Sequence, residues 1–204
     1  MKLFLIPLLA LLTFGHALSA QSAEQPQSVT VEGVDFNSLR SDWIQMEVEL
    51  ACEGNFSPEA RSEDYLENVE VKVYIAYLPA GAQAPDYDYY TSELEIVIME
   101  RRENYNVYFY LPGLIAERDG LRRGDPEFYY VEIIVDGEAQ QPKGGSKAIS
   151  DSIANLQILQ SFLSKAESEG QVNEHLLMPI YLVSGTDLGR VSDLPIFLRR
   201  DVRD

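Results

Sequence analysis

The sequence predicts a mainly β protein, an antiparallel immunoglobulin-like β-sandwich followed by one amphipathic helix and short Pro-containing strands. Three observations lead there. Residues 29–137 hold six or seven short apolar runs, most of them alternating with a period of two. The runs are rich in Val, Ile, Tyr and Phe, which suit a pleated, half-buried surface. A helical period appears only after residue 137. With a single cysteine the Cys-Trp-Cys hallmark of antibody domains is impossible, so the label describes architecture.

Val29-Thr30-Val31-Glu32 opens the first strand with a brief alternation. After Trp43, the residues Ile44, Met46, Val48, Leu50 and Cys52 share one face, with Gln45, Glu47 and Glu49 opposite. That pattern predicts a sheet wetted on one side. Cys52 lies in phase with the apolar face, which predicts a buried free thiol. Over 68–78, Val69, Val71, Val73, Ile75 and Tyr77 oppose Glu70, Lys72 and Tyr74. Leu94, Ile96 and Ile98 mark a strand over 92–99. Val107 and Phe109, with Tyr108 and Tyr110 opposite, mark another over 105–111. The polar residues 100–104 between these two read as a hairpin loop. The last strong strand, 127–135, stops at Asp136-Gly137, a favoured two-residue turn.

Residues 138–204 are expected to pack on the sandwich as a loop, a helix and extended segments. Gln140-Gln141-Pro142-Lys143-Gly144-Gly145 is the loop. Over 146–169 a stripe of Ile149, Ile153, Leu156 and Leu163, widened by Leu159 and Phe162, predicts the helix, and Gly170 stops it. Two similar runs end the chain, Met178-Pro179-Ile180-Tyr181-Leu182 and Leu194-Pro195-Ile196-Phe197-Leu198. Proline cannot donate to a ladder, so each reads as an edge or an irregular extended segment able to pair with another chain.

The chain begins MKLFLIPLLALLTFGHALSA. Lys2, an apolar core and small residues near Ala20 predict a secretory signal peptide over 1–20, cleaved after Ala20. The core is shorter than the ~20 apolar residues of a spanning helix. Residues 21–28 are a polar lead-in. The mature chain is therefore expected outside the cytoplasm, in the periplasm or on the outer cell surface, and not membrane-spanning.

The formal net charge is −17, and removal of Lys2 with the leader makes it one unit more negative. Basic residues come in scattered pairs, Arg101-Arg102, Arg122-Arg123 and Arg199-Arg200, with no stripe. Nucleic acid and anionic membrane surfaces are therefore expected to be poor partners.

Chemistry has few places to sit. Of two histidines, His16 leaves with the leader, and His175 reads as a surface residue. No G-x-S-x-G, H-E-x-x-H, P-loop or dinucleotide fingerprint occurs. Among 33 acidic residues, pairs such as Glu93 with Glu95 or Glu47 with Glu49 are common and read as solvated strand faces. No catalytic residue, cofactor or metal ligand is assigned. The segment Pro85-Asp86-Tyr87-Asp88-Tyr89-Tyr90 reads as a loop. Its tyrosines suit protein recognition, or stacking on sugars with Trp43. Its two aspartates lack the remaining ligands of a calcium loop.

The leader, the stretches 69–78, 105–113 and 129–137, and the Leu194-Pro195-Ile196-Phe197 ending resemble a small class of exported Verrucomicrobial proteins. That class is associated with type IV pilus-like machinery and an immunoglobulin-like sandwich. The resemblance implies an assembly or surface role in the envelope, and no residue role is carried over from it. A pilin is not expected, since polar Gln21-Ser22-Ala23-Glu24 follow the leader where a long apolar helix would continue.

The expectation is a non-enzymatic exported envelope protein that contacts a protein partner or a second copy. The predicted contact residues are Tyr87, Tyr89, Tyr90, Pro179, Tyr181, Pro195 and Phe197. The alternative is a carbohydrate-binding module with glycan on the Tyr-rich loop.

Overall fold

Alternating apolar residues can bury only one face of a strand, so two sheets must meet face to face. The computed structural model describes residues 26–121, 126–142, 146–183 and 189–199. The leader, most of the lead-in, Arg122-Arg123 and Arg200 lie outside them. In chain order the strands are β1 (Val29–Ser38), β2 (Ile44–Cys52), β3 (Tyr65–Tyr77), β4 (Asp88–Glu100), β5 (Asn104–Leu111), β6 (Phe128–Val135), β7 (Glu138–Ala139), β8 (Met178–Pro179) and β9 (Ile196–Leu198). They form a four-stranded sheet, β1-β2-β5-β8, and a five-stranded sheet, β7-β6-β3-β4-β9. Every pairing is antiparallel. This is the immunoglobulin-like sandwich expected from the alternation.

The core lies between the sheets. Val48 and Leu50 of β2, Val71 and Val73 of β3, Ile96 of β4, and Val107 and Phe109 of β5 are fully enclosed. Cys52 joins them as a buried free thiol. Burial pushes its pKa up, beyond what a nearby backbone hydrogen bond offsets, so at neutral pH it stays an inert thiol.

Several local expectations are corrected. Residues 100–104 are not a hairpin loop, because β4 and β5 belong to different sheets. The turn carries the chain across the sandwich. Arg102 adopts a left-handed backbone, φ 68°. Its N–H donates to the Cys52 carbonyl at 2.7 Å, and the Arg101 N–H donates to Asp64 at 2.9 Å. The turn is thus tied to distant chain segments that a local reading does not see.

A short helix also interrupts the β region. α1 (Gly113–Arg118) follows Pro112, which ends β5. Gly113 is obligatory there, since a Cβ would sit 1.8 Å from the Ser41 carbonyl oxygen. The predicted C-terminal helix begins later than its apolar spacing suggested. α2 runs Leu156–Glu169, and Asn155, in extended conformation, caps it by accepting from the Ile158 N–H at 3.0 Å. Residues 148–150 instead run along β6, with Ile149 bridging Tyr130. Gly170 ends α2 as expected.

Candidate functional site

Strand alternation sends Tyr89 and Tyr90 to opposite faces of β4, and that places them inside the protein. The Tyr-rich segment ends as a loop at Tyr87, because β4 already begins at Asp88. Tyr89 points outward from the five-stranded sheet but is covered by α2, with its ring 6.2 Å from Phe162. Tyr90 points into the core and is fully buried. Tyr87 is half-buried, 5.3 Å from Phe128 between ring centres. The expected exposed trio is corrected accordingly: only Tyr87 reaches the surface. Trp43 is half-buried beside the turn between β1 and β2, away from it in sequence and sheet.

Beneath this segment lies a polar network. The Tyr90 hydroxyl donates to Asp119 Oδ2 at 2.6 Å. Arg118 Nη2 donates to Asp119 Oδ2 at 2.6 Å and to Asn173 Oδ1 at 3.3 Å, and Asn173 Nδ2 donates to the Tyr89 carbonyl at 3.1 Å. The Arg118 hydrogen bond holds the Asp119 carboxyl below its usual range, against the effect of burial. Burial, then the Asp119 charge, raises Asp88. Burial and the bond to Asp119 push the Tyr90 phenol well above its ordinary value. The network ties the end of α1, β4 and the 3-10 turn Gly170–Asn173 that follows α2 together.

The two Pro-containing runs close one open side of the sandwich. Met178 and Pro179 extend the four-stranded sheet by pairing with Tyr110 and Phe109 of β5. Ile196, Phe197 and Leu198 extend the five-stranded sheet by pairing with β4. Tyr181 and Phe197 pack with ring centres 6.1 Å apart. Pro179 and Pro195 are buried. The expectation that these prolines present a contact surface is corrected, because the runs first satisfy their own chain's edges. Between them, residues 189–193 cross the outer face of the four-stranded sheet. There the Ser192 N–H donates to the Tyr108 hydroxyl at 3.3 Å and Gln45 Nε2 donates to Tyr110 at 3.0 Å. That face is therefore not simply wetted.

Two features of the described surface bear on contact with a partner. One is the edge strand β9, whose Ile196 is 64 % exposed, with Leu194, Leu198 and neighbouring Val97 also exposed. The other is a groove of about 610 Å³ between β4 and the crossover 170–182. Its outer wall carries Glu70, Lys72, Glu93, Glu95, Glu167 and Glu174, and its inner wall Val73, Leu94, Leu177, Pro179 and Tyr181. Lys72 Nζ lies 3.2 Å from Glu70 and 3.5 Å from Glu93. His175, exposed and with φ 65°, lies at its rim. Sequence reading paired Glu93 with Glu95 but had no way to see that α2 and the crossover wall them in. Among the described residues no three His, Cys, Asp or Glu side chains converge as metal ligands would. Nor is any described helix long and apolar enough to cross a membrane.

No protein-family model matches the chain, and no curated protein matches it. Its fold is similar to a crystal structure of a protein from Akkermansia muciniphila, a verrucomicrobial bacterium. The superposition covers 89 % of this chain and 100 % of that chain, with a TM-score of 0.54 and 15 % sequence identity. At that identity the likeness is one of fold.

Proposed function

We propose that the protein is a non-enzymatic exported envelope protein that works through protein–protein contact, in or beside a pilus-type assembly. The observation that carries the reading is the exposed apolar edge made by Leu194, Ile196, Leu198 and Val97. Sheet edges are ordinarily blunted by charge, proline or cover, since they template pairing with another chain. Here Pro195 removes one donor, and the strand beyond it remains apolar and open. The secretory layout of residues 1–20 and the Verrucomicrobial resemblance support the envelope setting. A sugar platform is less favoured, because Tyr89 and Tyr90 are enclosed.

The test substitutes Ile196→Lys together with Leu198→Lys. Light scattering of the purified protein, and crosslinking in the native envelope, should give a dimer or a defined crosslinked partner for the wild type. Both products should vanish in the variant while its melting temperature holds. A second-copy contact should tighten with salt, because screening weakens the repulsion between two strongly acidic chains. A strict monomer at low and high salt, with no crosslinked partner, overturns the reading.

A further inference from the structure

β9 is the last strand of its sheet, with β4 on one side and no described strand on the other. Phe197 turns inward, where its ring packs against Tyr181 and the core. Ile196 and Leu198 turn outward with Leu194 and Val97, and all four are exposed. Charged residues flank this run, Asp193 before it and Arg199 after it, and both are exposed. Over 193–199 the chain therefore reads Asp-Leu-Pro-Ile-Phe-Leu-Arg. Laid antiparallel to a second copy of itself, this stretch is self-complementary. Asp193 meets Arg199, Leu194 meets Leu198, Pro195 meets Phe197, and Ile196 meets its own counterpart.

A two-fold axis through Ile196 produces that pairing, and closed dimers of identical chains are built on such isologous contacts. Other registers are worse. A slip of one residue sets inward Phe197 opposite outward Ile196 and breaks the continuity of the two faces. A slip of two sets Asp193 opposite either Phe197 or Asp201. Parallel pairing sets Asp193 on Asp193 and Arg199 on Arg199, and like charges directly opposite are destabilising. Pro195 lacks an N–H, so its place opposite Phe197 removes at most one ladder bond per chain. The two Asp193–Arg199 pairs bring opposite charges together at the ends of the seam, on chains that are each at −17 overall. We propose that β9 pairs antiparallel with β9 of a second copy, about a two-fold axis at Ile196, joining two five-stranded sheets into one. The proposal rests on the protein-contact reading of this edge and goes further by naming the partner and the register. So short a seam falls well under the roughly 20–30 residues a side of a standard interface. The pairing is therefore reversible, and a covalent trap reads it best.

Single cysteines test the register, with the wild type as control because its Cys52 is buried. Facing residues of an antiparallel pair lie about 4.5–5.5 Å apart between Cα atoms, within the reach of a disulfide. Under mild copper-catalysed air oxidation, Ile196→Cys should therefore give a disulfide-linked dimer. Leu194→Cys and Leu198→Cys should each stay monomeric, since equivalent positions there lie roughly 13 Å apart across the seam. An equal mixture of those two variants should form the mixed dimer at least tenfold faster than either forms its own. In the Ile196→Cys protein, Asp193→Arg should slow trapping at least threefold. Adding Arg199→Asp should bring the rate back to within twofold of its starting value. Melting temperatures check that each variant is folded. Equal trapping at all three positions would show collision without register and overturn the proposal. So would a charge swap that fails to restore the rate, or an absence of trapping at Ile196. If Ile196 gives no trapped dimer while the edge crosslinks to a different protein in the native envelope, the proposal falls and the protein-contact reading stands. With neither product, both fall.

Discussion

Two halves of one sheet face lie side by side on the five-stranded sheet and have opposite characters. In register, Tyr74 stands opposite Tyr130 and Thr91, and two residues away Lys72 stands opposite Glu132 and Glu93. The strands are the same and the rows are about 7 Å apart. In one half Tyr74, Ala76, Tyr89 and Tyr130 are buried beneath Leu159, Phe162 and Ala166 of α2. In the other half the face stays open and ionic. The boundary is a single contact, in which the Tyr74 hydroxyl donates to Glu132 Oε2 at 3.1 Å. Tyrosine suits that place because its ring packs under the helix while its hydroxyl meets the polar half. Side-chain chemistry on a shared backbone therefore decides where the helix stops covering the sheet and where a groove is left.

The sharpest way to break this comparison is to remove the helix's central anchor. Phe162 is buried and contacts both Tyr89 and Phe128 through its ring, at 6.2 and 5.8 Å. Phe162→Ala should destabilise the protein by about 3–5 kcal/mol, the usual loss for a buried phenylalanine. Urea unfolding measures it. A loss below about 1 kcal/mol would mean that α2 is not what covers the tyrosine half.

Alkaline titration sharpens the same contrast without substitution. Burial pushes Tyr89 and Tyr130 up to about 12, and raises Tyr74 and Tyr90 further. Phenols raised above their unfolded value, about 10, favour the native state below that pH. Their contribution is lost as pH climbs past it, since the unfolded chain releases protons first. The four should ionise together with loss of the fold, seen as absorbance at 295 nm rising in step with the loss of circular dichroism. Reversible ionisation of all twelve tyrosines near pH 10 with the circular dichroism retained would show that these four have no real cover.

How much of this was legible in the sequence follows from range. The apolar face of β2, the buried Cys52 and the stop at Gly170 depend on neighbours a few residues away, and their spacing showed them. Tyr74, Tyr108 and Tyr110 read as wet-face residues because their covers arrive from α2 and from residues 189–193, far along the chain. Ile149 and Ile153 sit at helical spacing by coincidence of two environments, a bridge to β6 and the underside of α2. The missed clue was Asn155, a strong N-cap residue with apolar Leu156 and Ile158 behind it. The turn at 100–104 has hairpin chemistry yet joins two sheets, and local turn preference carries no information about which sheet the next strand joins. The groove was illegible for the same reason, its walls coming from β3, β4, α2 and the crossover.

The smallest effect belongs to the open half, and it should differ in kind as well as size. Lys72 is its central cation, flanked across the ladder by Glu93 and Glu132 and along its own strand by Glu70. Burial lowers its pKa, but the bonds and charges of Glu70 and Glu93 outweigh this and leave it raised. At neutral pH the lysine is therefore charged and its favourable pairing is fully present; that contribution fades only as pH rises past its unfolded value, about 10.4. The pairs remain one-third solvated, and such ion pairs contribute about 1 kcal/mol or less. Lys72→Met should accordingly cost about 1 kcal/mol in dilute buffer, mostly through the carboxylates it leaves facing one another. In 1 M NaCl, where the Debye length is about 3 Å, the difference from wild type should nearly vanish. Paired urea titrations at the two salt concentrations read both numbers. A loss of several kcal/mol that ignores salt would place Lys72 in an enclosed core, and the two halves of the face would then differ only in residue type and not in exposure.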